Sequence, residues 1–196
     1  MRPALLIQHS LILAKSAQIL RQVTCLQACL MRVRHGEKRI WLDEKMQIAR
    51  SSELIIAPAG LCMTLTNQPA AQGYACEILQ LDPQLLQHFR ATYPDIVQAA
   101  VHAKPQLCIR HNLLIARLWD EVFAAIGSNE PNELLQHRAE GLLLALAMAG
   151  HGSALWIAQA DPLIRRVQHV LMLQTSREWR VEQMAQQLHM GASTLR

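Results

Sequence analysis

Hydroxyl and guanidinium side chains stand together near the end of the chain, where they could bind nucleic acid. Ser193 and Thr194 carry hydroxyl groups, which can hydrogen-bond phosphate oxygens or base edges. Arg196 carries the side chain that most often recognises guanine. We predict that four residues of this segment face outward and contact DNA, namely Ala192, Ser193, Thr194 and Arg196.

Two short helices separated by a tight turn must position these side chains. Apolar residues from 179 to 188 follow helical spacing, and a His-Met-Gly break at residues 189–191 precedes a second helical start. This order is typical of a helix-turn-helix, whose second helix enters the major groove, although such helix pairs also occur in ordinary bundles. The predicted core of the motif consists of Trp179, Met184, Ala185, Leu188 and Leu195.

The five cysteines are scattered, and no two of them have the spacing of a zinc ribbon or a Cys-x-x-Cys motif. We therefore expect buried, reduced thiols. A redox pair formed by Cys25 and Cys29 is the alternative, although neither a cluster of lysines nor a clear helix start lies nearby in sequence.

The histidines do not form a recognisable metal site. His35 stands alone with Glu37 two positions later, and the other histidines lack local ligand spacing. The sequence also lacks a glycine-rich phosphate loop and a Gly-x-Ser-x-Gly elbow. We expect no catalytic activity, no cofactor and no metal.

The first eighty residues are predicted to form short strands, and such a series is typical of a sandwich or barrel. Hydrophobic residues make up 51% of the chain, which is ample for a core. Residues 15–30 could equally form a helix, because they are rich in Ala, Gln and Leu. The candidate strands are Ala4–Ile7, Leu11–Leu13, Val23–Val33, Arg39–Leu42, Met46–Ala49, Glu53–Ala57, Leu61–Asn67 and Tyr74–Leu81.

The pattern changes to helices at Asp82-Pro83, a good N-cap followed by a good first helical residue. Helices are predicted over residues 83–90, 111–126 and 131–149, and a further one begins at Asp161-Pro162. Residues 142–148 are apolar nearly all round, so they are expected in a core or between a core and a second subunit. The predicted dimerisation residues are Leu134, Leu135, Arg138, Leu142 and Leu146.

The order of these parts resembles the AraC/XylS family of transcription regulators. The specific match is residues 161–196, where a helix with an Asp-Pro start precedes Trp-x-Val-Glu-x-Met-Ala-x-x-Leu-x-Met-Gly-x-Ser-x-Leu. A looser match lies in Glu53-Leu-Ile-Ile-Ala-Pro-Ala-Gly60 and in residues 73–85. The resemblance implies an α+β protein with a cupin-like sensor domain at 1–82, a helical dimerisation region at 83–153, and a linker with an all-α helix-turn-helix unit at 154–196.

Two departures from the family pattern matter. The family usually has Ser or Thr after the motif Trp, and Arg180 stands there, so a cap worth about 0.5–2 kcal/mol of helix stability is lost. The family pattern also continues beyond Arg196, so the resemblance implies that DNA recognition is incomplete in this chain.

A cupin-like barrel can hold a small apolar or acidic ligand in its mouth. Basic residues of the first half could meet a ligand carboxylate, but a solvated strand-and-turn face is the favoured interpretation because surface Lys and Arg are the norm. These residues are Lys15, Arg32, Arg34, Lys38 and Arg39.

The sequence thus predicts a cytoplasmic, DNA-binding transcription regulator that is not an enzyme and does not bind membranes. It would form a homodimer and sense a small-molecule or protein effector. The net charge of +4 is compatible with nucleic acid without requiring it. The alternative is a stand-alone effector- or partner-binding dimerisation module that does not bind DNA.

Overall fold

The computed structural model describes residues 7–42, 44–101, 106–157 and 179–195. The chain divides into two compact units, residues 1–158 and 159–196. None of the helices in these described ranges is both long and apolar enough to cross a membrane.

The first unit begins with strands and continues with helices. Its strands are β1 (Ile7–Ala14), β2 (Gln18–Thr24), β3 (Ala28–His35), β4 (Glu37–Leu42), β5 (Lys45–Ala49), β6 (Glu53–Ala57), β7 (Cys62–Gln68), β8 (Tyr74–Leu81) and β9 (Cys108–Arg110). Its helices are α1 (Pro83–Thr92), α2 (Pro94–Val101), α3 (Leu113–Gly127), α4 (Asn132–Met148) and α5 (Ser153–Ile157).

The strands form two antiparallel sheets. The larger sheet has the order β1-β8-β3-β6-β9, and the smaller sheet has the order β2-β7-β4-β5. Residues of both sheets share one hydrophobic cluster, in which Met31 and Cys76 of the larger sheet lie with Ile40 and Leu65 of the smaller one. The two sheets therefore pack face to face as a sandwich.

The larger sheet is covered on its other face by helices, so β3 is buried on both sides. Successive side chains of a strand point to opposite faces. Cys29, Met31 and Val33 therefore enter the sandwich, whereas Leu30 joins a second cluster with residues of α1 to α5, including Trp119. The result is three layers: the smaller sheet, the larger sheet and the helices.

Side-chain caps set the start of two helices. The Asp82 carboxylate accepts a hydrogen bond from the backbone N–H of Gln84 at 2.7 Å, and Pro83 occupies the first turn of α1 as predicted. Asn112 likewise accepts from the N–H of Ile115 at 2.9 Å, so α3 begins after Asn112 rather than at His111.

Most predicted elements of the first unit are present. The helical alternative for residues 15–30 is wrong, because β2 and the start of β3 occupy this range. The single predicted strand 23–33 is two strands broken at Cys25–Gln27, and the structure adds β9 and α2, which the sequence patterns do not predict. Of the candidate strand 4–7 only Ile7 lies among the described residues, and the helix predicted from Asp161 lies outside them.

The second unit contains two short helices in its described part, α6 (Val181–Gln187) and α7 (Ala192–Leu195). Between them His189 adopts a left-handed backbone conformation with φ of 56°. The N–H of Met190 donates to the carbonyl of Ala185 at 3.0 Å, which closes the end of α6. A turn follows α6 at the predicted His-Met-Gly break.

Candidate functional site

A lysine lies inside the sandwich. The side chain of Lys38, on β4, is 0% exposed, and its Nζ donates a hydrogen bond to Oδ1 of Asn67 at 2.6 Å. Asn67 in turn donates from Nδ2 to Oε1 of Gln18 at 3.2 Å. The strand register explains this row, because Lys38 and Gln18 pair with Asn67 from opposite sides across β4, β7 and β2.

The aromatic ring of Tyr74 completes one wall of this site. Nζ of Lys38 lies 5.5 Å from the ring centroid, within the range of a cation–π interaction. Tyr74 is itself buried, and burial raises the pKa of its hydroxyl far above the ordinary range. The hydroxyl is therefore neutral and retains a proton that it can donate.

Burial penalises the charge on Lys38. It lowers the pKa of the ammonium, because the charged form loses its hydration inside the sandwich. Among the described residues no carboxylate lies within ion-pair distance of Nζ. A buried cation without an anionic partner is uncommon, because a hydrogen bond to a neutral amide does not offset the free-energy cost of removing the charge from water.

This arrangement offers hydrogen-bond donors within apolar walls. The ammonium of Lys38 has three N–H donors, of which one serves Asn67. Lys38 shares a face of β4 with Ile40, which belongs to a buried cluster of the sandwich together with Met31, Met63 and Leu65. A few polar groups converging in an apolar surrounding are typical of sites for small amphipathic ligands.

The expectation that the five basic residues form a solvated face is wrong for Lys38. Its burial could have been inferred from β4 alone, because Lys38 shares the parity of the apolar Ile40 and therefore points to the same face. Arg39 is on the other face and pairs with Glu37 at 2.7 Å, whereas Lys15 is exposed.

The model of the ExsA N-terminal regulatory domain matches residues 28–157, well over half of the chain. The chain belongs to this family. The matched range includes Lys38, Asn67 and Tyr74, so the polar site lies within the ExsA-type regulatory domain.

Solved structures of AraC-like regulators share the fold at low sequence identity. Apo ToxT K231A from Vibrio cholerae strain SCE256 aligns with a TM-score of 0.69 and 10% identity, covering 97% of this chain and 73% of that one. Wild-type ToxT bound to an unsaturated fatty acid gives 0.63 and 9%, with 96% and 71% covered. The AraC-like transcriptional activator CuxR gives 0.53 and 14%, with 94% and 68% covered. No curated protein sequence matches the chain.

Two arginines on the helix side of the regulatory domain join the larger sheet to α3. Nη1 of Arg32 contacts Oδ1 of Asp120 at 2.9 Å, and Arg34 binds both Asp120 and Glu77. The Glu77 carboxylate is 2.7 Å from Nε of Arg34 and also accepts a hydrogen bond from Trp119. These arginines are therefore structural ion-pair partners, not members of the Lys38 site.

The predicted dimerisation residues do not share one exposed face. Leu135, Leu142 and Leu146 are buried in the hydrophobic core of the regulatory domain itself, which agrees with a helix buried on more than one side. Leu134 is 53% exposed. Arg138 is partly exposed and pairs with Glu130 at 2.8 Å in the same chain.

In the second unit, three predicted core residues of the helix-turn-helix are buried: Met184, Ala185 and Leu188. Trp179 is half-buried. Of the predicted DNA contacts, Ser193 is exposed and Ala192 is half-exposed. The side chains of Thr194 and Leu195, and all of Arg196, lie outside the described residues.

His35 and Glu37 do not form a ligand pair. His35 is exposed at the end of β3, and the carboxylate of Glu37 is engaged by Arg39 and Arg50. Within the described ranges no three His, Cys, Asp or Glu side chains come together in a way that could hold a metal ion.

Proposed function

We propose that this chain is the sensing half of an AraC-type, DNA-binding transcription regulator of the cytoplasm. A cupin-like sandwich binds a small amphipathic effector, the helices beside it contribute to a homodimer, and residues 179–196 begin the DNA-recognition unit. The observation that carries the proposal is the buried ammonium of Lys38, held by a neutral amide in the interior of a regulatory domain.

A carboxylate is the effector group that best suits Lys38. An anion would balance the ammonium and strengthen its hydrogen bond, because charge-assisted bonds are about twice as strong as neutral ones. The ToxT structures support this chemistry. One is described with an unsaturated fatty acid and another with (E)-4-(8-methylnaphthalen-1-yl)but-3-enoic acid, and both compounds are carboxylic acids.

The effector proposal can be tested with oleic acid as the probe. We expect oleate to raise the melting temperature of the full chain and of Lys15→Met, whose lysine is exposed. Lys38→Met should weaken binding by about tenfold or more, since a hydrogen bond to a charged group contributes about 1.5–3 kcal/mol. Methyl oleate, which lacks the charge, should bind the wild type as weakly as oleate binds Lys38→Met. Equal affinities of oleate for the wild type and Lys38→Met would overturn the proposal.

The DNA-binding part of the proposal rests on the second unit. The two short helices, the turn after α6 and the buried Met184, Ala185 and Leu188 support a helix-turn-helix. Ala192, Ser193, Thr194 and Arg196 would contact DNA.

Gel-shift titration at two salt concentrations tests the DNA assignment. We expect this chain to bind duplex DNA weakly and with a salt dependence that reflects phosphate contacts. Extending the recognition helix and adding the second helix-turn-helix should produce sequence-selective binding. Absence of selectivity in the extended protein would favour the alternative, a dimerisation module that binds an effector or partner without reading DNA.

A further inference from the structure

We propose that Cys25 and Cys29 form a reversible disulfide when the chain reacts with a hydroperoxide. Their sulfur atoms lie 3.7 Å apart, and both residues are buried in the sandwich. All five cysteines are free thiols in the structure, so the site is present in its reduced form. The proposal is carried by the distance between the two sulfur atoms and does not require the effector proposed for Lys38.

Strand pairing and loop hydrogen bonds fix the backbone at the two cysteines. Cys29 lies on the central strand β3, paired with Ala57 of β6. Cys25 precedes β3, where its N–H donates to the carbonyl of Leu61 at 2.9 Å and its carbonyl accepts from Gly60 at 2.7 Å. A disulfide requires a sulfur separation of about 2.0 Å. The two sulfur atoms must therefore move closer together, by rotation of the cysteine side chains and by adjustment of the short segment 26–28.

The two thiols differ in reactivity. The hydrogen bond between the two sulfur atoms lowers the pKa of Cys25, burial opposes this shift, and the positive charge of Lys38 lowers the pKa further. The same hydrogen bond and burial raise the pKa of Cys29. Because the thiolate is the nucleophile, Cys25 attacks the oxidant and Cys29 supplies the second thiol. Lys38 lies on β4 and comes near the cysteines only in the folded chain. The residues adjacent to the cysteines in sequence therefore do not predict this cation.

The reaction balances with hydrogen peroxide as the oxidant. The Cys25 thiolate forms a bond to one peroxide oxygen, the oxygen–oxygen bond breaks, and the leaving hydroxide takes a proton to give water. The sulfur of Cys29 then attacks the sulfenic acid on Cys25, the sulfur–oxygen bond breaks, and the departing hydroxide takes the Cys29 proton as a second water. Two thiols are oxidised and one peroxide is reduced.

The other cysteines are less suited to this reaction. Cys62 is exposed on β7, but among the described residues only Cys25 and Cys29 are in sulfur–sulfur contact. Burial raises the pKa of Cys108 to about 11. Cys76 is 0% exposed, and burial is the largest cause of its raised pKa. A thiol with a high pKa has little thiolate to react, whereas Cys62 provides a matched control at the surface.

Peptide mapping of the full chain tests the proposal. The reduced protein is treated with hydrogen peroxide, denatured in N-ethylmaleimide and digested with trypsin. Cleavage after Arg21 and Arg32 leaves both cysteines in one peptide, residues 22–32. We expect this peptide to be unlabelled and lighter by two hydrogen atoms, and dithiothreitol before labelling should restore two maleimides. Cys62→Ser should give the same result, and Cys25→Ser should not.

A second variant keeps the test decisive if Cys25→Ser does not fold. In Cys29→Ala the resolving thiol is absent, so Cys25 should stop at the sulfenic acid and react with dimedone. Full labelling of both cysteines after peroxide treatment of the wild type would overturn the proposal. A cross-link from peptide 22–32 to peptide 51–90, which holds Cys62 and Cys76, would overturn it equally.

Discussion

Nε1 of Trp119 donates a hydrogen bond to Oε2 of Glu77 at 2.7 Å, and this bond connects α3 to β8 of the larger sheet. Trp119 is completely buried on α3, and the carboxylate it contacts also receives Nε of Arg34. The carboxylate of Glu77 on β8 therefore binds both the neighbouring strand β3, through Arg34, and the helix α3, through Trp119.

Replacing Trp119 with Phe should destabilise the domain by about 1–3 kcal/mol, because the change leaves a buried carboxylate with one donor fewer and creates a small cavity. Urea unfolding followed by circular dichroism measures the loss. Trp41→Phe is the matched control, since Trp41 is 40% exposed on β4 and should change stability by less than about 0.5 kcal/mol. Equal losses in the two variants would contradict the structural role of this bond.

The buried Lys38 predicts an unusual dependence of stability on pH. Its pKa is lowered in the folded state, whereas in the unfolded state it has the ordinary value of 10.5. Between these two pKa values the unfolded state binds more protons at Lys38, so the contribution of Lys38 to the free energy of unfolding rises with pH in this window. Below the folded pKa the charge destabilises the fold by a constant amount.

Comparison with Lys38→Met isolates this contribution. The difference in unfolding free energy between the wild type and Lys38→Met should change in favour of the wild type as the pH rises toward 10.5. Chemical denaturation at several pH values provides the measurement, and Lys15→Met should show no such trend because its lysine is exposed. A difference that stays constant over the whole range would show that Lys38 is not desolvated.

Sequence patterns were sufficient for the elements with strong local signals. Alternation predicted β4 and β6 to β8 to within a residue or two, and Asp82-Pro83 gave the start of α1. The family resemblance is confirmed by the match over residues 28–157. The strands and the start of α1 depend on short-range periodicity and on capping residues, which can be read from a single sequence.

Other features depend on long-range packing and could not be predicted. The break at Cys25 arises because the loop bonds to Leu61 and Gly60, more than thirty residues away. β9 has three residues and exists because it pairs with β6. The row of Gln18, Asn67 and Lys38 requires the register of three strands, which no segment specifies alone.

Gly36 should be intolerant of substitution. It joins β3 to β4 with φ of 78°, and a Cβ there would clash with the carbonyl oxygen of Gln68. We expect Gly36→Ala to lower the unfolding free energy by about 1–3 kcal/mol. Gly127→Ala, where a Cβ meets nothing within 4 Å, should be neutral or slightly stabilising by the same urea assay. A neutral Gly36→Ala would contradict the turn geometry.

The two kinds of leucine on α4 should respond differently to substitution. Leu134→Asp places a charge at an exposed position, so it should weaken the proposed dimer in sedimentation equilibrium while leaving the melting temperature nearly unchanged. Leu142→Ala should instead cost about 2–5 kcal/mol of stability, because its side chain lies in the core of its own chain. Leu113→Asp, at a residue that is 90% exposed on α3, is the matched surface control. If Leu134→Asp and Leu113→Asp associate equally well, Leu134 is not in the dimer contact.

Arg180 provides a test of the second unit. It occupies the N-cap of α6 with extended backbone but without a side-chain cap, and its own N–H donates to Oε1 of Gln183 at 3.5 Å. Arg180→Ser would add the missing acceptor for the first turn and complete a capping box, which should stabilise α6 by about 0.5–2 kcal/mol. Amide hydrogen exchange of residues 181–188 should slow accordingly, whereas Arg180→Ala, which offers no acceptor, should exchange at the wild-type rate. Unchanged exchange in Arg180→Ser would mean that α6 does not begin at this residue.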